Sequence, residues 1–276
     1  MIHDEDLHSA VDYSQNQIDA AHRVLVELVN LFDSYKDDMC IVGGWVPDLM
    51  FPDKGHVGSV DVDVLINHLK LKDAGYQTMA RMLLRNGYQE HPEKYFSFLK
   101  SVEVQGKKYE VDVDILAGMY GGTKNEKRSQ HVQGMTALKA TGGNFAFEFP
   151  PQQIKVEAQR PDGAIDVVHV NVVAVVPYIV MKTSALGRGK AKDAYDIYFV
   201  AKHYLGGVRQ LAKEFAACSD KQIIQVMKTK LAEKFSSPGY SGPADVANFM
   251  DLPIGEEREM ICRDAFEQIQ ALLSLI

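Results

Sequence analysis

"IVGGWVPDLMFPDKGHVGSVDVDVLI", residues 41–66, runs from a short apolar segment through a glycine pair to two aspartates that alternate with valines. The alternation from Val60 to Ile66 predicts a β-strand. Side chains two apart on a strand point the same way, about 6.6–7 Å from each other, so Asp61 and Asp63 share one face. A second stretch, Tyr109 to Leu116, repeats the device with Asp112 and Asp114. If the two strands are neighbours, three or four carboxylates converge. Such crowding is costly without a counter-ion, and hard oxygen ligands suit magnesium. Gly43 and Gly44 fit the same chemistry, because backbone amides approach a phosphate closely where no β-carbon intervenes. A surface turn followed by a half-exposed strand accounts for any one of these pieces, but poorly for all of them together.

Two amphipathic helices flank the stretch. Ile18, Ala21, Val24, Leu25, Leu28, Leu31 and Phe32 recur at helical spacing before it, and Tyr76, Met79, Ala80, Leu83 and Leu84 after it, ending at Gly87. From Tyr95 the pattern becomes β, with a hairpin expected at Gln105-Gly106 and further strands at Phe145 to Phe149, Ile154 to Glu157 and Ile165 to Val175. Between them, residues 121–143 are glycine-rich and basic, with Lys124, Lys127, Arg128 and Lys139, and read as loop around a short strand or turn. After Pro177 the chain turns helical: Tyr178 to Gly187, Lys192 to Tyr204, Val208 to Ala217, Lys221 to Phe235 and Glu256 to Leu273, punctuated by Pro238-Gly239 and Pro253. The expected fold is α+β, a mixed sheet with flanking helices over residues 1–176, followed by an α-helical region, 177–276.

The whole chain bounds the partners. Its 276 residues suffice for one large domain or two modest ones. With 30 Lys+Arg against 37 Asp+Glu, the net charge of −7 supplies no overall field for nucleic acid, although a local basic groove is allowed. Cys40, Cys218 and Cys262 have neither metal-ligand spacing nor an even count, which fits a reducing cytoplasm. The polar, acidic start does not read as a secretory signal, and no apolar run reaches the roughly 20 residues of a membrane span. A cytoplasmic protein with no membrane partner is expected.

The combination Val42-Gly43-Gly44, then Asp61-Val62-Asp63-Val64, then a third acid on a later strand resembles the signature of the nucleotidyltransferase superfamily with a polymerase-β-like core. Gly43-Gly44-Trp45 followed by H-V-G-S-V-D-V-D, and later "MKTSALGRGKAKDAYDIYFV" (residues 181–200), resembles the AbiEii/AbiGii-type toxin family. The likeness covers roughly residues 38–205. It implies two Mg²⁺ ions with a nucleoside triphosphate bound, held by Asp61, Asp63 and a third acid. Aligning "VDV" gives that place to Asp112, which is preferred, and aligning "VDIL" gives it to Asp114. Gly43 and Gly44 would cradle phosphate. The gap from Gly44 to Asp61 is longer than the superfamily usually shows, so Phe51 to Ser59 reads as an inserted loop.

Lys182 lies among apolar helical positions Ile179, Val180, Met181 and Leu186, and Asp193 and Asp196 stand one turn apart on the next helix. A salt bridge between two helices explains them without any activity. The resemblance instead makes Lys182 a cation for the triphosphate, with Asp193 or Asp196 orienting it or helping to deprotonate the attacking hydroxyl, so that the helical region completes the active site. Arg188 and Lys190 read either as further phosphate contacts or as solvated loop charges. Trp45 is expected in the core rather than stacked on a base. His56, His131 and His169 have no metal spacing and receive no role.

The activity implied is transfer of a nucleoside monophosphate from an NTP to an acceptor hydroxyl, in a toxin of a toxin–antitoxin or phage-defence pair acting on tRNA, with a cognate antitoxin as partner. Two rivals remain at this level: an aminoglycoside-type enzyme acting on a small hydroxyl compound, and a catalytically silent sensor of GTP or ATP.

Overall fold

The computed structural model describes residues 7–71, 73–118, 129–132 and 135–276. The expected α+β class is what it shows: a mixed sheet with flanking helices and a helical C-terminal region. In chain order the elements are α1 (Gln15–Leu31), β1 (Met39–Val42), α2 (Trp45–Met50), β2 (Val62–Ile66), α3 (Asp73–Arg85), β3 (Gln89–Glu90), β4 (Ser97–Val104), β5 (Lys107–Gly118), β6 (Ser129–Val132), β7 (Met135–Ala140), α4 (Gly143–Ala146), β8 (Gln152–Gln159) and β9 (Ile165–Val172). Then come α5 (Val175–Ala185), α6 (Ala191–His203), α7 (Gly207–Glu214), α8 (Gln222–Lys234), α9 (Ser241–Phe249) and α10 (Glu256–Leu275).

The chain divides into two compact units. One comprises Tyr13–Met50 and Val57–Ala174, and the other comprises residues 7–12, Phe51–His56 and Val175–Ile276. The sequence-derived boundary at 176/177 is thus close to the observed one at Ala174/Val175, but the segment Phe51–His56 belongs to the helical unit.

In the first unit the strand order is β3-β4-β5-β2-β1-β9-β8, with β7 on the far end of β5 and β6 on β7. β2 runs antiparallel to β1 and parallel to β5, in the register Val62↔Val113, Asp63↔Asp114 and Val64↔Ile115. α1 starts at a Ser14 cap that accepts from the Gln17 amide, and it buries Ala20, Ala21, Val24, Leu25 and Leu28. The side of the sheet it covers follows from its polar contacts. Asn16 donates to the Tyr109 hydroxyl, and Glu27 pairs with Lys100, which stands opposite Val111. α1 therefore lies on the face of Tyr109, Val111 and Val113. By the period of two, Asp112 and Asp114 point to the other face.

Several expectations need correction. Phe145 to Phe149 is not a strand: α4 occupies its first half, and Phe145 and Phe149 meet edge to face at 5.0 Å, the i,i+4 spacing of a turn. α2 is too short to show a period, and Pro47 at its third position looks like a break although the first helical turn tolerates proline. Pro243 hides α9 in the same way, yet that helix buries Val246, Ala247 and Phe249. Of the basic residues in 121–143, Lys124, Lys127 and Arg128 lie outside the described residues, whereas Lys139 is on β7.

The helical unit consists of α5 to α10 with Phe51–His56 packed into it. Phe51 and Phe199 meet at 6.4 Å, and His56 contacts Tyr195 and Phe199 at 5.5 and 4.8 Å. No helix among the described residues is long and apolar enough to cross a membrane.

Candidate functional site

Asp63, Asp112 and Asp114 lie on β2 and β5, which run side by side, whereas Asp61 stands one residue before β2, because the strand expected from Val60 begins only at Val62. Asp63 and Asp114 are register partners across this parallel pair, so their side chains leave the same face at neighbouring positions. Asp63 presses against the glycine turn: a β-carbon on Gly43 would lie 1.8 Å from Asp63 Oδ2, and Gly43 has φ +72°. Glycine is required there on both counts. Asp61 is fixed at two points. Its Oδ1 accepts from the Ser59 hydroxyl at 2.5 Å, and its carbonyl accepts from Trp45 Nε1 at 2.7 Å. Trp45 is 1% exposed and stacks on His22 of α1 at 5.3 Å, so it sits in the core as expected and also pins the backbone of an acid.

Asp114 shows the strain of this crowding. Burial, with Asp61 beside it, pushes its carboxyl up to about 7, against the opposing pull of Ser97 and Lys94. Its Oδ1 is buried without a hydrogen-bond partner. Asp112 is differently engaged: Lys94 Nζ lies 3.2 Å from its Oδ2, and His91 Nε2 lies 3.9 Å from its Oδ1. The acid preferred from the "VDV" alignment is therefore ion-paired, while Asp114 is the one beside Asp63.

Lys94 is aimed by a built turn. The His91 ring accepts the amides of Glu93 and Lys94 at Nδ1, at 3.0 and 2.9 Å, and the Ser97 amide donates to the Lys94 carbonyl. With Nδ1 accepting, the ring proton of neutral His91 belongs on Nε2, toward Asp112.

Among the described residues no three His, Cys, Asp or Glu side chains are gathered as a ready-made metal centre. The donor chemistry nevertheless suits a hard divalent cation: all oxygen, crowded like charges, and a buried orphan oxygen on Asp114.

In the helical unit, Lys182 bonds Asp193 Oδ1 at 2.9 Å and Asp196 Oδ2 at 2.7 Å. Burial opposes the lysine's charge, but the two carboxylates prevail and hold it well above the usual lysine range. Asp196 is completely buried and also accepts from Lys192 at 3.2 Å and from His56 Nε2 at 3.0 Å. Burial works against its ionisation too, but Lys182, Lys192 and His56 together keep it well below the ordinary carboxylate range. Arg188 reaches Asp193 Oδ2 at 3.3 Å from an exposed position. Burial and the two lysines push His56 down to about 4 despite the pull of Asp196, so it donates to Asp196 as a neutral ring.

Sequence reasoning gave no role to Ser59, Lys192, His56, His91 or Lys94. Lys192 carried a signal, standing four residues before Asp196 on one helix. His56, His91 and Lys94 carried none, because their partners lie 140, 21 and 18 residues away. Comparison with models of known families, with curated proteins and with solved structures finds no match to this chain.

Proposed function

We propose that the chain is a magnesium-dependent nucleotidyltransferase that moves a nucleoside monophosphate from an NTP to an acceptor hydroxyl. The observation that carries this reading is the register of β2 on β5, which sets Asp63 beside Asp114 on the face opposite α1, with the glycine turn closed against Asp63.

Asp61, Asp63 and Asp114 would hold Mg²⁺, and when bound it supplies Lewis-acid activation of the α-phosphate and neutralisation of the leaving pyrophosphate. The chain's own residues do the positioning. Trp45 and Ser59 fix Asp61, and Gly43 leaves Asp63 the space that a side chain would fill. Gly43 and Gly44 carry no side chains of their own, and the amides of their turn would serve a phosphate oxygen. Lys182 as a cation for the triphosphate rests on the resemblance alone; within the helical unit it is held by Asp193 and Asp196. The acceptor we propose is a tRNA end, in a toxin paired with an antitoxin, and this part rests on the resemblance alone.

Incubation with α-labelled NTPs, Mg²⁺ and total tRNA tests the reading. Label from the α-position should enter RNA and label from the γ-position should not. Entry of neither into RNA, nor into a small-molecule extract offered as alternative acceptor, would overturn it.

A further inference from the structure

The acidic face carries a resident cation that the transfer chemistry does not explain. Lys94 Nζ stands 3.2 Å from Asp112 Oδ2, and the side chains are 22% and 8% exposed. The lysine is delivered by a turn fastened through two amides to His91 Nδ1, and Nε2 of the same histidine stands 3.9 Å from Asp112 Oδ1. A solvated surface lysine needs no such scaffold. A carboxylate this buried needs a counter-charge, and Lys94 supplies it to Asp112 through Oδ2.

We propose that Lys94 sets the cation occupancy of the site: by neutralising Asp112 it keeps that acid out of the ligand set and leaves Asp61, Asp63 and Asp114 to the divalent ion. Lys94 is thus a positioning residue, and the inference rests on the metal-site reading above. The arithmetic of charge makes it testable. With the Lys94–Asp112 pair intact the two charges cancel. Removing Lys94 adds one net negative charge to a site for a dication, removing Asp112 alone adds one net positive charge, and removing both restores the balance.

The experiment is Mn²⁺ titration of the full chain at low salt, with free Mn²⁺ followed by electron paramagnetic resonance and folding followed by circular dichroism. Lys94→Met should bind Mn²⁺ about tenfold more tightly than the parent, and Lys94→Arg within about threefold of it. Asp112→Asn should bind about tenfold more weakly, with the Lys94→Met/Asp112→Asn double variant returning to parent affinity. Unchanged or weaker binding by Lys94→Met overturns the proposal. If that variant does not fold, the remaining pair decides: a double variant as weak as Asp112→Asn makes Asp112 a ligand and overturns it equally. Failure of the underlying reading looks different, because then the parent binds no Mn²⁺ or Asp63→Asn binds it as well as the parent does.

Discussion

Replacing Gly43 with alanine tests how tightly the glycine turn and the acids are coupled. Two costs arise, and they can be separated. Holding a non-glycine residue at φ +72° costs about 1–2 kcal/mol. The new β-carbon would also lie 1.8 Å from Asp63 Oδ2 and 2.7 Å from its Cγ, so the carboxylate must swing away from its place beside Asp114. Gly106 supplies the control: its φ is +75°, but nothing lies within 4 Å of the place a methyl would take there, so Gly106→Ala carries the backbone cost alone. At roughly 2–4 °C per kcal/mol for a unit of this size, Gly106→Ala should lower Tm by about 2–8 °C and leave Mn²⁺ binding and transfer intact. Gly43→Ala should lower Tm further and cost transfer about 10²–10³-fold, with Mn²⁺ affinity falling in parallel. Calorimetry, Mn²⁺ titration and α-label transfer on both variants measure these. Equal Tm losses with full activity in Gly43→Ala would refute the coupling of the turn to Asp63.

Three further outcomes are expected. His56 has its folded pKa depressed to about 4 from 6.5, so its stabilising contribution is complete above about pH 6.5 and is lost as pH falls toward 4. Between pH 7.5 and 5 that is about 2 kcal/mol, read by denaturant unfolding, and His56→Gln should flatten the slope, whereas an unaltered slope would assign the pH dependence elsewhere. Lys182→Met removes the cation that Asp193 and Asp196 share, with Lys192, Arg188 and His56 still beside them, and should cost about 3–5 kcal/mol of stability as well as transfer. A loss below about 1 kcal/mol would show that the remaining partners suffice. Trp45→Phe keeps the ring against His22 but removes the donor to the Asp61 carbonyl, and should cost about 1–3 kcal/mol with weaker Mn²⁺ binding; unchanged affinity would release Trp45 from any part in setting Asp61.

The parts of the fold legible in the sequence were those with a period long enough to declare itself. The stripe of α1, the alternation of β5 and the Gln105-Gly106 hairpin stand where the pattern put them, whereas β2 starts at Val62, two residues later than the alternation from Val60 suggested. Short or proline-bearing helices such as α2 and α9 were hidden, because a proline in a first turn looks the same in sequence as one that ends an element. The candidate site divides along the same line. Asp61 and Asp63, and Asp112 and Asp114, were each visible as a pair, but only strand register shows that Asp114 stands beside Asp63. Lys182 with Asp193 and Asp196 was visible as helical spacing. His56, His91 and Lys94 were not, since loops and turns bring them to their carboxylates and no local period encodes a loop's path.

Side-by-side transfer assays on Asp114→Asn and Asp112→Asn test the central claim most directly. Each substitution keeps shape and removes charge from one acid of the β5 pair. With α-labelled NTP, Mg²⁺ and total tRNA, Asp114→Asn should lose transfer by about 10²–10³-fold or more, and Asp112→Asn, whose charge is already matched by Lys94, by about tenfold or less. Activity near that of the parent in Asp114→Asn, in protein shown to be folded, would contradict the assignment of the β2–β5 acidic face as the centre of nucleotidyl transfer.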